Sequence, residues 1–192
     1  MSGRSPKTLT QPSPRERAEE KRLTTGLDQL NSLSDTRAEA ELLKCCGSTC
    51  WASAMTVTRP FKTIDDLLAK ADSIWWSLSE EDWLEAFRAH PKIGEKKAAV
   101  AQSGEARSWS AQEQSGTEGA AAETKAALAA GNQEYKQRFG FIFIVCATGK
   151  SSEEMLTILN ARMQNDPGTE LRIAAEEQRK ITRLRLEKLL NR

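Results

Sequence analysis

One histidine and one tyrosine occur in 192 residues. Histidine is the only side chain whose unperturbed pKa lies close to physiological pH. Imidazole proton chemistry in this chain therefore belongs to His90 or does not occur. Excess charge is also missing: 28 basic residues face 27 acidic ones, for a net charge of +1. That balance excludes the broad positive field of a nucleic-acid binder and favours a small neutral or anionic ligand. No apolar run approaches the roughly 20 residues a spanning helix needs, and the N-terminus has no apolar signal-peptide centre. No membrane partner is expected, and the location expected is cytoplasmic. Paired CxxC spacing is absent. Cys45, Cys46 and Cys50 lie in CCGSTC, Cys146 stands apart, and His90 is far downstream. Reduced thiols fit that pattern better than a disulfide framework or a zinc site.

Residues 1–22 have almost no large apolar side chain but contain Pro6, Pro12 and Pro14 and an excess of basic over acidic residues. Such a segment buries too little to offset its ordering entropy. It is expected to be a disordered tail, or at most a frayed helix near 15–22, before a folded domain over 23–192.

The rest of the chain reads as an all-α, single compact helical domain. Leu27, Leu30 and Leu33 mark a short helix. Asp35 is placed as the cap of the next, Ser48 of a third and Thr63 of a fourth, with Asp65 and Asp66 suiting its dipole. Ser79 opens a fifth helix, which should end at His90 because Pro91 disfavours the α conformation before it. An Ala-rich helix fits about 110–130, and Gly131-Asn132 separates it from a helix through Tyr135 to Gly140. The run FIFIVCA, residues 141–147, has strand propensity. No partner strand is evident, so it is expected to be one buried extended segment. Ser151 starts a helix, Asp166-Pro167-Gly168 makes a turn, and a last helix spans Thr169 to about Leu190.

Three features look out of place. His90 is either a helix-end or surface residue, or a proton-transfer group. Arg185 falls within the apolar stripe of the last helix, formed by Leu171, Ala174, Ile181 and Leu189 at 100° per residue. A guanidinium there needs a buried partner, a route to solvent, or a cavity. Arg162 and Arg183 lie off their helices' apolar centres and are expected to be solvated. Ser110 followed by Glu113 has capping-box spacing, which would also place free backbone N–H groups beside Glu113 and Gln114.

These segments resemble one family. His90-Pro91, Ser110-Ala111-Gln112-Glu113-Gln114, YKQRFGFIFIVCA and EEQRKITRLRLEKLL are similar to 2-oxo-4-hydroxy-4-carboxy-5-ureidoimidazoline (OHCU) decarboxylase, as are the earlier CCGSTCWASAM and RPF. The resemblance covers residues 27–190, with Ile142 standing where some members have proline. It implies an all-helical fold, a homodimer, no cofactor, and decarboxylation of OHCU to (S)-allantoin in urate breakdown. It places the catalytic histidine on His90 and a ligand-contacting proline on Pro91. It places the substrate segment on Ser110, Ala111, Gln112, Glu113 and Gln114, with Glu113 orienting the imidazole or bonding the substrate hydroxyl. A segment contacting substrate partly through its backbone falls on Phe143, Ile144, Val145, Cys146 and Ala147, and the substrate arginine falls on Arg185. A grip on the departing carboxylate would stabilise the ground state. Arg185 is therefore expected on a carbonyl, with the carboxylate facing the 143–147 wall. His90 is expected to act as an acid and to give a pH–rate transition near neutrality. A non-enzymatic helical adaptor and a helical enzyme acting on another ureide are the competing readings.

Overall fold

A computed structural model of the chain describes residues 13–91, 104–113, 115 and 121–192. Side-chain caps set most of its helix starts. The Oγ of Ser48 accepts from Trp51 N, Thr63 Oγ1 from Asp66 N, and Asp166 Oδ1 from Thr169 N. Ser79 and Ser151 form reciprocal capping boxes with Asp82 and Glu154. Each cap satisfies a helix-end N–H that has no partner within the helix. The helices are α1 (Pro14–Ser32), α2 (Asp35–Cys46), α3 (Thr49–Val57), α4 (Ile64–Ser77), α5 (Glu80–Arg88), α6 (Gly104–Glu113), α7 (Ala122–Phe139), α8 (Ser152–Arg162) and α9 (Pro167–Leu190). Among the described residues there is no strand, and no helix is long and apolar enough to cross a membrane.

The central element is α9, which packs on α1, α2, α4, α5 and α7. One apolar cluster joins them, and its large fully buried members include Trp51, Trp75, Tyr135 and Phe87. Three buried indole N–H groups find a carbonyl: Trp51 to Ala71 O at 3.1 Å, Trp75 to Ala175 O at 2.9 Å and Trp83 to Trp75 O at 2.9 Å. Burial of these large rings therefore leaves no stranded donor.

Residues 141–147 form the buried extended segment that the sequence predicts. Without a partner strand its backbone must be satisfied by side chains. Cys146 N–H donates to Glu177 Oε2 at 2.7 Å, Arg162 Nη1 donates to Ile144 O at 2.8 Å, and Lys150 Nζ donates to Cys146 O at 2.8 Å. Gly140, at φ 82°, ends α7 and turns the chain into this segment.

Several sequence expectations change. The helix allowed near residues 15–22 is the start of α1, which begins at Pro14 and runs on without a break to Ser32; Pro14, Arg17, Ala18, Lys21 and Arg22 are exposed along that part. Ser34, not Asp35, occupies the cap position of α2, and Asp35 instead accepts an ion pair from Arg59 Nη2 at 2.6 Å. Gly131-Asn132 does not break α7. A Cβ on Gly131 would lie 2.8 Å from Leu159 Cδ2, so this glycine permits close packing of α7 on α8. Pro167 is the first residue of α9, where its missing N–H costs nothing. Arg162 is buried, not solvated. Its Nε donates to Glu170 Oε1 at 2.7 Å and its Nη2 to Tyr135 Oη at 3.2 Å, while the Tyr135 hydroxyl donates to Glu170. Arg183 is only partly exposed, with Nη1 on Asp72 at 2.9 Å.

Candidate active site

Four elements converge on one cavity. The end of α5 supplies His90 and Pro91, α6 supplies Ser110 and Glu113, and α9 supplies Ile181. The extended segment supplies Phe143, Ile144, Val145 and Ala147. The cavity is small, about 20 Å³.

His90 follows the last turn of α5, with its N–H on Phe87 O at 3.1 Å. The residue is half-buried, but its Nε2 is sealed from solvent and has no hydrogen-bond partner among the described residues. Burial lowers its pKa to about 3, the Arg185 charge adds to that shift, and the Gln178 side chain opposes it. The ligand-free imidazole is therefore neutral at pH 7.

Ser110 and Glu113 occupy the last turn of α6, not its first. The capping-box expectation fails for that reason, and so does the idea of free N–H groups there. Their side chains serve Arg185 instead. Arg185 Nε lies 3.0 Å from Glu113 Oε1, and Nη2 lies 2.8 Å from Glu113 Oε2 and 3.0 Å from Ser110 Oγ. Ser110 Oγ in turn donates to Ala106 O at 3.0 Å. Both partners of this forked, charge-assisted pair are buried. Lys188 Nζ stands 3.5 Å from Glu113 Oε1. Two cations thus share one carboxylate. The sequence posed buried partner and cavity as alternatives for Arg185, yet its partners themselves line the cavity.

The other sequence-predicted site residues separate. Ala111 and Gln112 are exposed on α6, away from the cavity wall. Gln114 lies outside the described residues. Cys146 is buried in the segment but does not line the cavity; its backbone N–H is held by Glu177. The Glu113 carboxylate is in contact with Arg185 and Lys188, while the polar side chain that raises the imidazole pKa against burial is Gln178. Gln178 and Glu177 were missed from sequence. Gln178 had a signal, since at 100° per residue it falls between Arg185 and Leu189 on the stripe that exposed Arg185. Glu177 had none, because its role depends on where the extended segment passes.

Cys45 and Cys46 are buried, and burial pushes both thiols up to about 12, so neither supplies a thiolate. Among the described residues no cluster of His, Cys, Asp and Glu is arranged to hold a metal.

Comparison with known proteins gives a consistent result. A family model described as OHCU decarboxylase matches residues 31–187. The chain is 41% identical over 154 residues to the uric acid degradation bifunctional protein TTL of Arabidopsis thaliana, covering 80% of this chain and 47% of that protein. It thus spans about half the length of that relative. It is 34% identical over 142 residues to the 2-oxo-4-hydroxy-4-carboxy-5-ureidoimidazoline decarboxylase of Amia calva, covering 72% of this chain and 79% of that one. A crystal structure of OHCU decarboxylase in the presence of (S)-allantoin superposes with a TM-score of 0.68 at 39% identity, over 79% of this chain and 98% of the other. With its family model, relatives and fold in agreement, the chain belongs to the OHCU decarboxylase family.

Proposed function

We propose that this chain is a carbon–carbon lyase that decarboxylates 2-oxo-4-hydroxy-4-carboxy-5-ureidoimidazoline to (S)-allantoin. The observation that carries this reading is the meeting of the sole histidine with Ser110 and Glu113, the buried partners of Arg185, at one cavity, in a chain of this family. The substrate supplies its own electron sink. As the bond to the carboxylate breaks, its electron pair forms a carbon–carbon double bond and the imidazoline C=N pair moves onto nitrogen, which takes a proton from solvent. The resulting enol loses its hydroxyl proton, and the ureido-bearing carbon gains one. Adding that proton to a single face sets the chirality.

A neutral His90 suits both proton movements. It takes the hydroxyl proton as a base and returns it to carbon as an acid. The acid role expected from sequence is therefore the second of two. Arg185 and Lys188, paired on Glu113, supply the positive charge that draws in the anionic substrate. Arg185, already carrying Glu113, offers its remaining donor capacity to a ring or ureido carbonyl. The apolar face of residues 143–147 receives the carboxylate, where poor solvation favours loss of neutral CO2. Pro91 and Ser110 complete the contacts. No cofactor is required on this reading.

The test couples the protein to fresh urate oxidase and hydroxyisourate hydrolase and follows allantoin by circular dichroism. Accelerated appearance of one enantiomer is expected; the spontaneous rate and racemic product would overturn the proposal. The same reading carries a cytoplasmic homodimer, with residues 23–192 sufficient for activity and 1–22 dispensable. Light scattering on the full and shortened chains, with the same assay, checks both points.

A further inference from the structure

Gln178 sits at the centre of α9, fully buried. Its Nε2 donates to Cys46 O and to Thr182 Oγ1, each at 3.2 Å. A backbone carbonyl only accepts, so the contact with Cys46 fixes which end of the amide is which. The NH2 group is committed to Cys46 and Thr182, and Oε1 is left over. That oxygen is shielded from solvent and has no partner among the described residues, and the same is true of His90 Nε2. Two buried polar atoms of complementary type, an acceptor and a ring nitrogen able to carry a proton, are therefore each left without a partner among the described residues. The Gln178 side chain also acts on the imidazole, favouring its charged form against burial and Arg185. A carbonyl oxygen facing a ring N–H has that effect.

We infer that Gln178 is the positioning residue of His90: its clamped amide presents Oε1 to the Nε2–H of the imidazole, fixes that tautomer, and leaves Nδ1 as the basic nitrogen. Hydrogen bonds of catalytic groups are often long in a ligand-free protein and tighten around substrate. The nitrogen that carries the proton in a neutral histidine is set by such a bond. The inference rests on the reading of His90 as the proton-transfer group, but its structural half is measured without substrate.

The chain's single histidine makes that measurement unambiguous. Protein labelled with 15N-histidine gives one imidazole, and a long-range 1H–15N correlation spectrum at pH 7 reports its tautomer. The ligand-free wild type is expected to show the Nε2-protonated form alone. Gln178→Met fills a similar volume without the acceptor. It should convert the spectrum to a tautomer mixture and lower kcat about 10–100-fold, the scale for losing a histidine's orienting partner, with KM within about threefold. Thr182→Val loosens the clamp and should give a smaller change of the same kind. A wild-type spectrum of the Nδ1-protonated form overturns the inference, whether or not Gln178→Met folds. So does a folded Gln178→Met protein that melts lower but keeps both tautomer and kcat, because a purely structural glutamine would behave that way. If the protein fails to turn over OHCU, the function proposal falls while the spectrum still decides the role of Gln178.

Discussion

At the scale of the residue, the site works through charges placed where water is scarce. His90 is held neutral by burial and by Arg185, with its pKa lowered to about 3. The transition near neutrality expected of an unperturbed imidazole is therefore displaced. The pH profile of kcat/KM, which reports the free enzyme, should be flat from pH 8 down to about 5.5 and fall only at lower pH. His90→Asn keeps a hydrogen-bonding group but transfers no proton, so turnover should drop roughly 10²–10⁴-fold. A steady-state pH series on both proteins checks this, and a transition centred near pH 6.5 in the wild type would contradict the buried imidazole. Glu113 offers a second check. As a helix cap it would tolerate glutamine, whereas as the buried counter-ion of Arg185 it should not. Glu113→Gln is expected to cost about 1–3 kcal/mol in urea unfolding, the scale of a lost charged hydrogen bond. Arg185→Lys loses the planar fork and should lower kcat/KM, while Arg183→Lys, partly exposed on Asp72, should change little.

At the scale of the element, the extended segment depends on its neighbours. A lone strand-like run would normally seek a second strand for its backbone groups. Here Glu177, Arg162 and Lys150 supply them. Arg162 also bonds Glu170 and Tyr135, and burial together with Glu170 keeps the Tyr135 hydroxyl protonated well beyond its usual range. One buried cation thus joins the Ile144 wall of the cavity to α7, α8 and α9. Arg162→Met leaves Glu170 charged and stranded, which should cost about 3–5 kcal/mol of stability. Adding Glu170→Gln removes the stranded charge and should recover part of that loss. Urea unfolding of the single and double variants measures the coupling, and strictly additive losses would show that the two side chains do not act as a pair. The helix starts at Ser48, Thr63, Ser79 and Ser151 were legible because capping is local chemistry. The Ser110–Glu113 pair misled for the same reason: its spacing fits a first turn, while only its place in the fold shows it to be a last turn serving Arg185.

At the scale of the whole molecule, one histidine also writes itself into acid stability. Its pKa is about 3 in the folded protein and about 6.5 when unfolded. Between those values the unfolded chain binds more protons, so stability is fully present above pH 6.5 and falls as pH drops toward 3. The slope from this one group is at most about 1.4 kcal/mol per pH unit. The carboxylates held below their usual range, among them Asp66, Asp82 and Glu176, add their losses only at lower pH. Thermal melts from pH 7 to 5 should therefore show a decline that His90→Asn abolishes; an equal decline in both proteins would show that the imidazole is not buried neutral. What the sequence determined by itself was set by near neighbours and by composition: the helical class, most caps, the helix end before Pro91, the buried run 141–147 and the isolation of His90. The periodicity of α9 singled out Arg185 because a charge in an apolar stripe is a local contradiction. Tertiary structure alone decided which groups resolve such contradictions. Glu113 meets Arg185 across 72 positions of sequence, Gln178 meets Cys46 across 132, and Arg162 reaches the carbonyl of Ile144 from the far end of the next helix. Long-range pairing of buried polar groups follows from the packing of whole helices, and no spacing along the chain encodes it.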